Sequence, residues 1–253
     1  KFRYQGANYF YMKLIADTHT HTIASTHAYS TVLENTKFAA DIGLSYLGIT
    51  DHAPDMTDAP HWWHFENLRI LPDELFGVKL LKGIEADLRG FSGELDVTNE
   101  QLSSLSWVIA SIHRQVMPKG TIEQITAAYI GAARNPYVDV IGHSGLVAYP
   151  YDYDAAVCEF ARLGKLVEFN QGTFSSRPAS AENCKKIALC CKKHNCRVVI
   201  NSDAHFAYRI GQTPDVFAML HEINFPEELV INADLTRFEA YLAERKRRIN
   251  ALT

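Results

Sequence analysis

The feature that most constrains this chain is an alternation repeated along its length: a short apolar run, then a stretch with helical spacing. Runs at residues 14–16, 46–49, 79–84, 107–112, 138–141, 166–169 and 197–200 read as strands. Residues 36–42, 121–134, 154–163, 180–194, 214–222 and 236–248 read as helices. Gly43 and Gly164 fall where two of these helices should stop. Thr121 with Gln124 three residues on has the form of a capping box. Strands alternating with helices predict a parallel sheet with helices outside. About seven such units, with no composition break and no Gly/Ser-rich linker, predict a single α/β domain over residues 12–253. A closed or nearly closed, distorted barrel fits best, with a doubly wound open sheet as the alternative. Residues 1–11 read as a loose aromatic arm, an N-terminal extension or expression remnant outside the fold.

Composition narrows the function. Hydrophobic residues make up 47% of the 253, enough for a full core. The net charge is −4 with no long block of one sign, so a broad basic surface for nucleic acid is not expected. Lys246-Arg247-Arg248 reads as a solvated face that suits the end of a helix dipole. The five cysteines, Cys158, Cys184, Cys190, Cys191 and Cys196, contain no CxxC pair, and their odd number argues against a disulfide framework. They read as reduced, packing thiols of a cytoplasmic protein. No apolar run is long enough to span a membrane, and no signal-peptide core is present.

The eleven histidines are informative through their placement. His19 and His21 follow the first expected strand, His52 the second and Glu85 the third. His113 and His143 end the next two runs, and Asp203 and His205 follow the last. In a barrel the strand C-termini converge on one face, where such residues read as catalytic. In extended chain, residues i and i+2 point to the same side, so each of the pairs His19/His21 and Asp203/His205 reaches into one cavity. So many imidazoles beside Glu85 and Asp203 would leave buried polar groups unsatisfied without a metal. A divalent-metal site is therefore expected. Spacing alone leaves His27 undecided between ligand and loop residue. His61 and His64, in His61-Trp62-Trp63-His64, line a pocket mouth or the surface. His194 and His221 fall on helices and read as structural. Asp17 and Asp51 either orient imidazoles or serve as turn residues. Arg177, in Phe174-Ser175-Ser176-Arg177, is the candidate phosphate-binding cation, because guanidinium matches two oxygens at once.

The run Asp17-Thr18-His19-Thr20-His21-Thr22, followed by Thr50-Asp51-His52, resembles the opening motifs of the PHP (polymerase and histidinol phosphatase) superfamily. Glu85, His113, His143 and Asp203-x-His205 fall in that family's order. Residues 24–30, 51–56 and 58–65 resemble its YcdX-like phosphatase branch. The resemblance extends over nearly everything from Met12 onward. It implies a distorted (β/α)7 barrel with three divalent metals. His19, His21, Glu85 and Asp203 would hold one metal, Glu85, His113 and His143 a second, and His27, His52 and His205 the third. Two stretches depart from related phosphatases, Arg114-Gln115 after His113 and Ser144-Gly145 after His143, and are expected to shape the substrate pocket.

The expected activity is hydrolysis of a small phosphorylated metabolite by a metal-bridging hydroxide, with His19, His21, Glu85, Asp203 and His205 as the catalytic set. Arg177, His64 and Arg114 are the expected substrate contacts. Zinc is the first expectation, with manganese or iron as alternatives, because mixed imidazole and carboxylate ligation suits them better than calcium. Histidinol-phosphate phosphatase, a nuclease or nucleotide phosphodiesterase, and a non-catalytic phospho-ligand binder are the competing readings. Assembly into a homo-oligomer is left open.

Overall fold

The computed structural model describes residues 12–252, so the arm expected at residues 1–11 lies outside them. The strands are β1 (Ala16–Asp17), β2 (Tyr46–Ile49), β3 (Glu74–Leu75), β4 (Val78–Asp87), β5 (Trp107–Ser111), β6 (Val140–Ile141), β7 (Leu166–Asn170) and β8 (Val198–Asn201). Their order around the sheet is β1-β2-β4-β5-β6-β7-β8, all parallel. β3 is an antiparallel addition to β4. Its two-residue turn, Phe76-Gly77, has positive φ at both positions, as the right-handed twist of a hairpin favours.

The seam between β8 and β1 decides between the closed and the open sheet. No ladder joins the two strands, yet they are tied together. The Thr18 amide donates to Asn201 Oδ1 at 2.8 Å, the Asp203 amide to the His19 carbonyl at 3.1 Å and the His21 amide to the Ala204 carbonyl at 2.9 Å. Lower down, Asn232 Nδ2 donates to the carbonyls of both Ala16 and Ile200. The result is a nearly closed, distorted barrel, and an open doubly wound sheet is excluded.

The helices are α1 (Val32–Asp41), α2 (Trp63–Asn67), α3 (Asn99–Ser103), α4 (Ile122–Arg134), α5 (Tyr153–Arg162), α6 (Gln171–Ser176), α7 (Ala181–His194), α8 (Pro214–Glu222) and α9 (Leu235–Asn250). α4 begins as its capping box dictates, with Thr121 accepting from Gln124 N. α1 starts earlier than its apolar spacing suggested, because Thr31 and Glu34 form a second capping box. The short α2, α3 and α6 carry too few turns to show a period, and they escape a sequence reading.

One apolar layer lies between the sheet and the helices. A second fills the lower barrel, where Leu81, Trp107, Ile109, Val140, Leu166 and Val199 meet Phe238 and Tyr241 of α9. α9 thus closes the N-terminal end of the barrel. This corrects the reading of residues 246–248 as a solvated run. Lys246 and Arg247 are exposed, but Arg248 donates to the Pro136 carbonyl at 2.8 Å and to Asp139 Oδ1 at 2.6 Å. Cys184, Cys191 and Cys196 are buried as packing thiols, whereas Cys158 is exposed. No helix among the described residues is long and apolar enough to cross a membrane.

Candidate metal centre

Strand periodicity builds the site directly. Leu81 and Trp107 belong to the apolar plug of the lower barrel. Two-residue steps from Leu81 lead to Gly83, Glu85 and Asp87, and from Trp107 to Ile109, Ser111 and His113. On β7 the same step leads from Leu166 to Glu168 and Asn170. A single inward row is therefore core at one end and chemistry at the other.

Glu85 is the hub, and it is fully buried. Its Oε2 lies 3.3 Å from His19 Nε2, 3.6 Å from His21 Nε2 and 3.0 Å from His52 Nδ1. Its Oε1 lies 2.9 Å from His143 Nε2 and 3.6 Å from His113 Nε2. Asp203 Oδ1 faces the same atoms of His19 and His21 at 3.7 and 3.2 Å. His205 stacks on His21 with ring centroids 4.2 Å apart, and His27 reaches His205 at 4.3 Å. The nine expected metal ligands thus lie around one cavity. Triads of their atoms, such as His19/His21/Glu85 and His21/His52/His205, come within 4.8 Å of one another.

Two of these residues carry strained backbones. His143 has φ +22° and Asp203 φ +57°, conformations costly for residues with a side chain. Next to His143, Gly142 is tightly enclosed: a Cβ there would meet Ser111 Oγ at 2.2 Å and Ile109 Cγ2 at 2.8 Å, so those side chains would have to shift.

A metal would fit these donors. His19 Nε2, His21 Nε2, His52 Nδ1, Glu85 Oε2 and His205 Nε2 are all buried without a hydrogen-bond partner, which is rare unless something else satisfies them. The charges within the cluster are tightly coupled: burial opposes the charge on His19, yet Glu168, Glu85 and Asp203 together draw it well above the usual imidazole range. Burial is the largest influence on the Glu85 and Asp203 carboxyls and would raise them, but the surrounding positive groups, His19 foremost, together outweigh it and hold both well below the usual carboxylate range. Burial pushes His21 down to about 3 and His113 down to about 4, so both rings are neutral and offer lone pairs. Burial also opposes the charge on His52, yet Glu85 draws it up to about 9.

Three carboxylates absent from the sequence reading back the ligand rings. Glu168 Oε1 accepts from His19 Nδ1, Asp87 Oδ1 from His113 Nδ1 and Asp58 Oδ2 from His27 Nδ1, each at 2.7 Å. A signal for two of them was present. Asp87 repeats the i, i+2 step from Glu85, and Glu168 is the charged residue inside an otherwise apolar strand. Asp17 and Asp51, left open between orienting imidazoles and serving as turn residues, bond chiefly to the loops. Asp17 accepts from the Ser202 and Gly211 amides and Ser202 Oγ. Asp51 accepts from Thr22 and Ser25 and lies 3.2 Å from His64 Nε2. Both hold the loops that carry the ligands.

Over the cluster opens a cleft of about 690 Å³. His27, His52, His113, Asp203 and His205 line its floor, and Arg177, Arg209, Gln115, Gln171 and Asp215 are among its walls. Arg177 Nη2 donates to Asp203 Oδ2 at 3.0 Å, while its buried Nε has no partner. Of the other expected substrate contacts, Arg114 is exposed outside the cleft wall, where its neighbour Gln115 sits instead. His64 also lies outside that wall, turned to Asp51. His194 pairs with Asp154 at 2.8 Å between α7 and α5, and His221 is on α8.

A family model described as the PHP domain matches residues 17–176. A protein of Acetivibrio thermocellus called a probable phosphatase is 44% identical over 238 residues, 94% of this chain and 99% of its own. A probable phosphatase of Clostridium novyi is 42% identical, covering 92% of this chain and 96% of its own. Among solved structures, histidinol phosphate phosphatase from Lactococcus lactis, complexed with zinc, L-histidinol and phosphate, aligns with a TM-score of 0.57. That alignment covers 83% of this chain and 92% of the other, and at 17% identity it speaks to the fold.

Proposed function

This chain belongs to the PHP domain family, and on that premise we propose that it is a metal-dependent phosphatase that hydrolyses phosphate monoesters of a small metabolite. The single observation that carries the proposal is the set of buried, unpartnered imidazole and carboxylate atoms converging beneath one cleft. His19, His21, Glu85 and Asp203 would hold one metal, Glu85, His113 and His143 a second, and His27, His52 and His205 a third. Bound divalent metals supply a nucleophile at neutral pH and neutralise charge on the phosphoryl oxygens. Zinc suits this donor set first, and manganese or iron next.

The remaining work falls to the chain itself. Glu85 would serve the first two positions together, since one oxygen faces His19 and the other His143. Arg177 lines the cleft with one amino group on Asp203, and it would grip the phosphoryl group with its remaining donors. Gln115 and Asp215 stand on the cleft wall, where the leaving group of a polar metabolite would meet them. The net charge of −4 disfavours a polyanionic nucleic-acid substrate.

Protein reconstituted with zinc, manganese or iron is expected to release phosphate from p-nitrophenyl phosphate and from a member of a phosphorylated-metabolite panel. Histidinol phosphate belongs on that panel, because the Lactococcus lactis neighbour is complexed with histidinol and phosphate. No release with any of the three metals would overturn the proposal.

A further inference from the structure

We infer that Glu168 is a positioning residue that builds two of the metal positions at once, an inference that rests on the metal-dependent reading above. Glu168 stands in the middle of β7 and is buried. A buried carboxylate is costly unless its oxygens are satisfied. Here each oxygen takes two donors. Oε1 accepts from His19 Nδ1 at 2.7 Å and Asn201 Nδ2 at 2.8 Å. Oε2 accepts from the His143 backbone amide at 2.9 Å and Asn170 Nδ2 at 3.2 Å. With its acceptor sites taken, Glu168 acts on the site through the residues it holds.

Two consequences follow from these partners. Donation of the Nδ1 proton to Glu168 leaves the lone pair of His19 on Nε2, the atom that faces Glu85 and Asp203. The second bond ties down the amide of His143, whose φ of +22° relaxes unless something holds it. In that conformation His143 Nε2 lies 2.9 Å from Glu85 Oε1. His19 belongs to the first proposed position and His143 to the second. His27 of the third is backed separately, by Asp58. A plain strut between β7 and β8 would need only the bond to Asn201.

The test is E168Q, which keeps the shape but turns one acceptor into a donor facing other donors. Both proteins are reconstituted with zinc, checked by circular dichroism, and titrated against a chromophoric zinc chelator. Folded E168Q is expected to keep the third-position zinc and to bind the other two on the order of 10- to 100-fold more weakly, with loading restored at higher zinc. Zinc stoichiometry and affinity equal to wild type would overturn the inference and leave the phosphatase reading standing. A wild-type protein that takes up no zinc overturns both. If E168Q does not fold, the wild-type protein decides by NMR. Zinc-loaded wild type should show a slowly exchanging, strongly downfield Nδ1 proton on His19, and its absence would overturn the inference.

Discussion

At the scale of single residues, the proposal gives the buried cluster and the cleft wall different tasks, metal below and substrate above. His19 faces Glu85 and Asp203 through one nitrogen and Glu168 through the other, so no substitute reproduces both contacts. His19→Ala is expected to lower bound zinc, measured by elemental analysis, and phosphatase activity together. Unchanged zinc would remove His19 from the ligand set. Arg177 differs, because it stands on the cleft wall and meets Asp203 through Oδ2, not through the Oδ1 that faces His19 and His21. Arg177→Ala should raise KM about tenfold, the loss of roughly one charge-assisted hydrogen bond, with zinc content near wild type. A KM that stays put would place the phosphate contact elsewhere, with Arg209 the next candidate on the cleft wall.

Among the elements, the short strands carry the precision. β1 pairs with β2 through only two residues, yet it aims His19 and His21. Its approach depends on Gly48 of β2, where a Cβ would meet the Thr18 carbonyl oxygen at 2.3 Å. Backbone cannot swing away as a flexible side chain would. Gly48→Ala should therefore cost about 3 kcal/mol in urea unfolding, the upper end for overpacking, and lower zinc affinity as well. A full loss of stability with zinc affinity intact would show that β1 moves without disturbing its histidines. The capping boxes at Thr121 and Thr98 act only on helix starts on the outside of the barrel.

Across the whole molecule, the two ends of the barrel have different tasks. The C-terminal end carries the cluster of histidines and carboxylates, and the N-terminal end is a buried ionic seal made by Asp139, Arg245, Arg248 and Lys165. Lys165 donates to the carbonyls of Asn135 and Val138, and burial pushes its pKa down to about 7. In the unfolded chain a lysine titrates near 10.4, so between these values the unfolded state binds more protons. Stability should therefore rise with pH from about 7 toward 10, and the cost of burying the charge is fully present below that window. Urea unfolding at several pH values is expected to show a slope of about 1.4 kcal/mol per pH unit in wild type that Lys165→Met removes. Equal slopes in both proteins would show that Lys165 stays charged in the folded state.

The order of elements, the parallel sheet with helices outside and the polar residues at strand ends were legible in the sequence, because they rest on local periodicity, whereas closure of the barrel was only the favoured of two readings. α4 follows from its capping box and spacing and α8 from spacing alone, and Glu85 or His143 stands out because a polar residue ends an apolar run. Glu168 and Asp58 could not be assigned partners that way, nor could Gln115 be preferred to Arg114. Those assignments depend on which side chains meet across strands 149 or 31 residues apart in the chain. The seam through Asn201 and Asn232, and the positive φ of His143 and Asp203, likewise arise only when the barrel closes. Local pattern determines what each segment becomes, whereas closure brings distant segments into contact and so decides which atoms face one another.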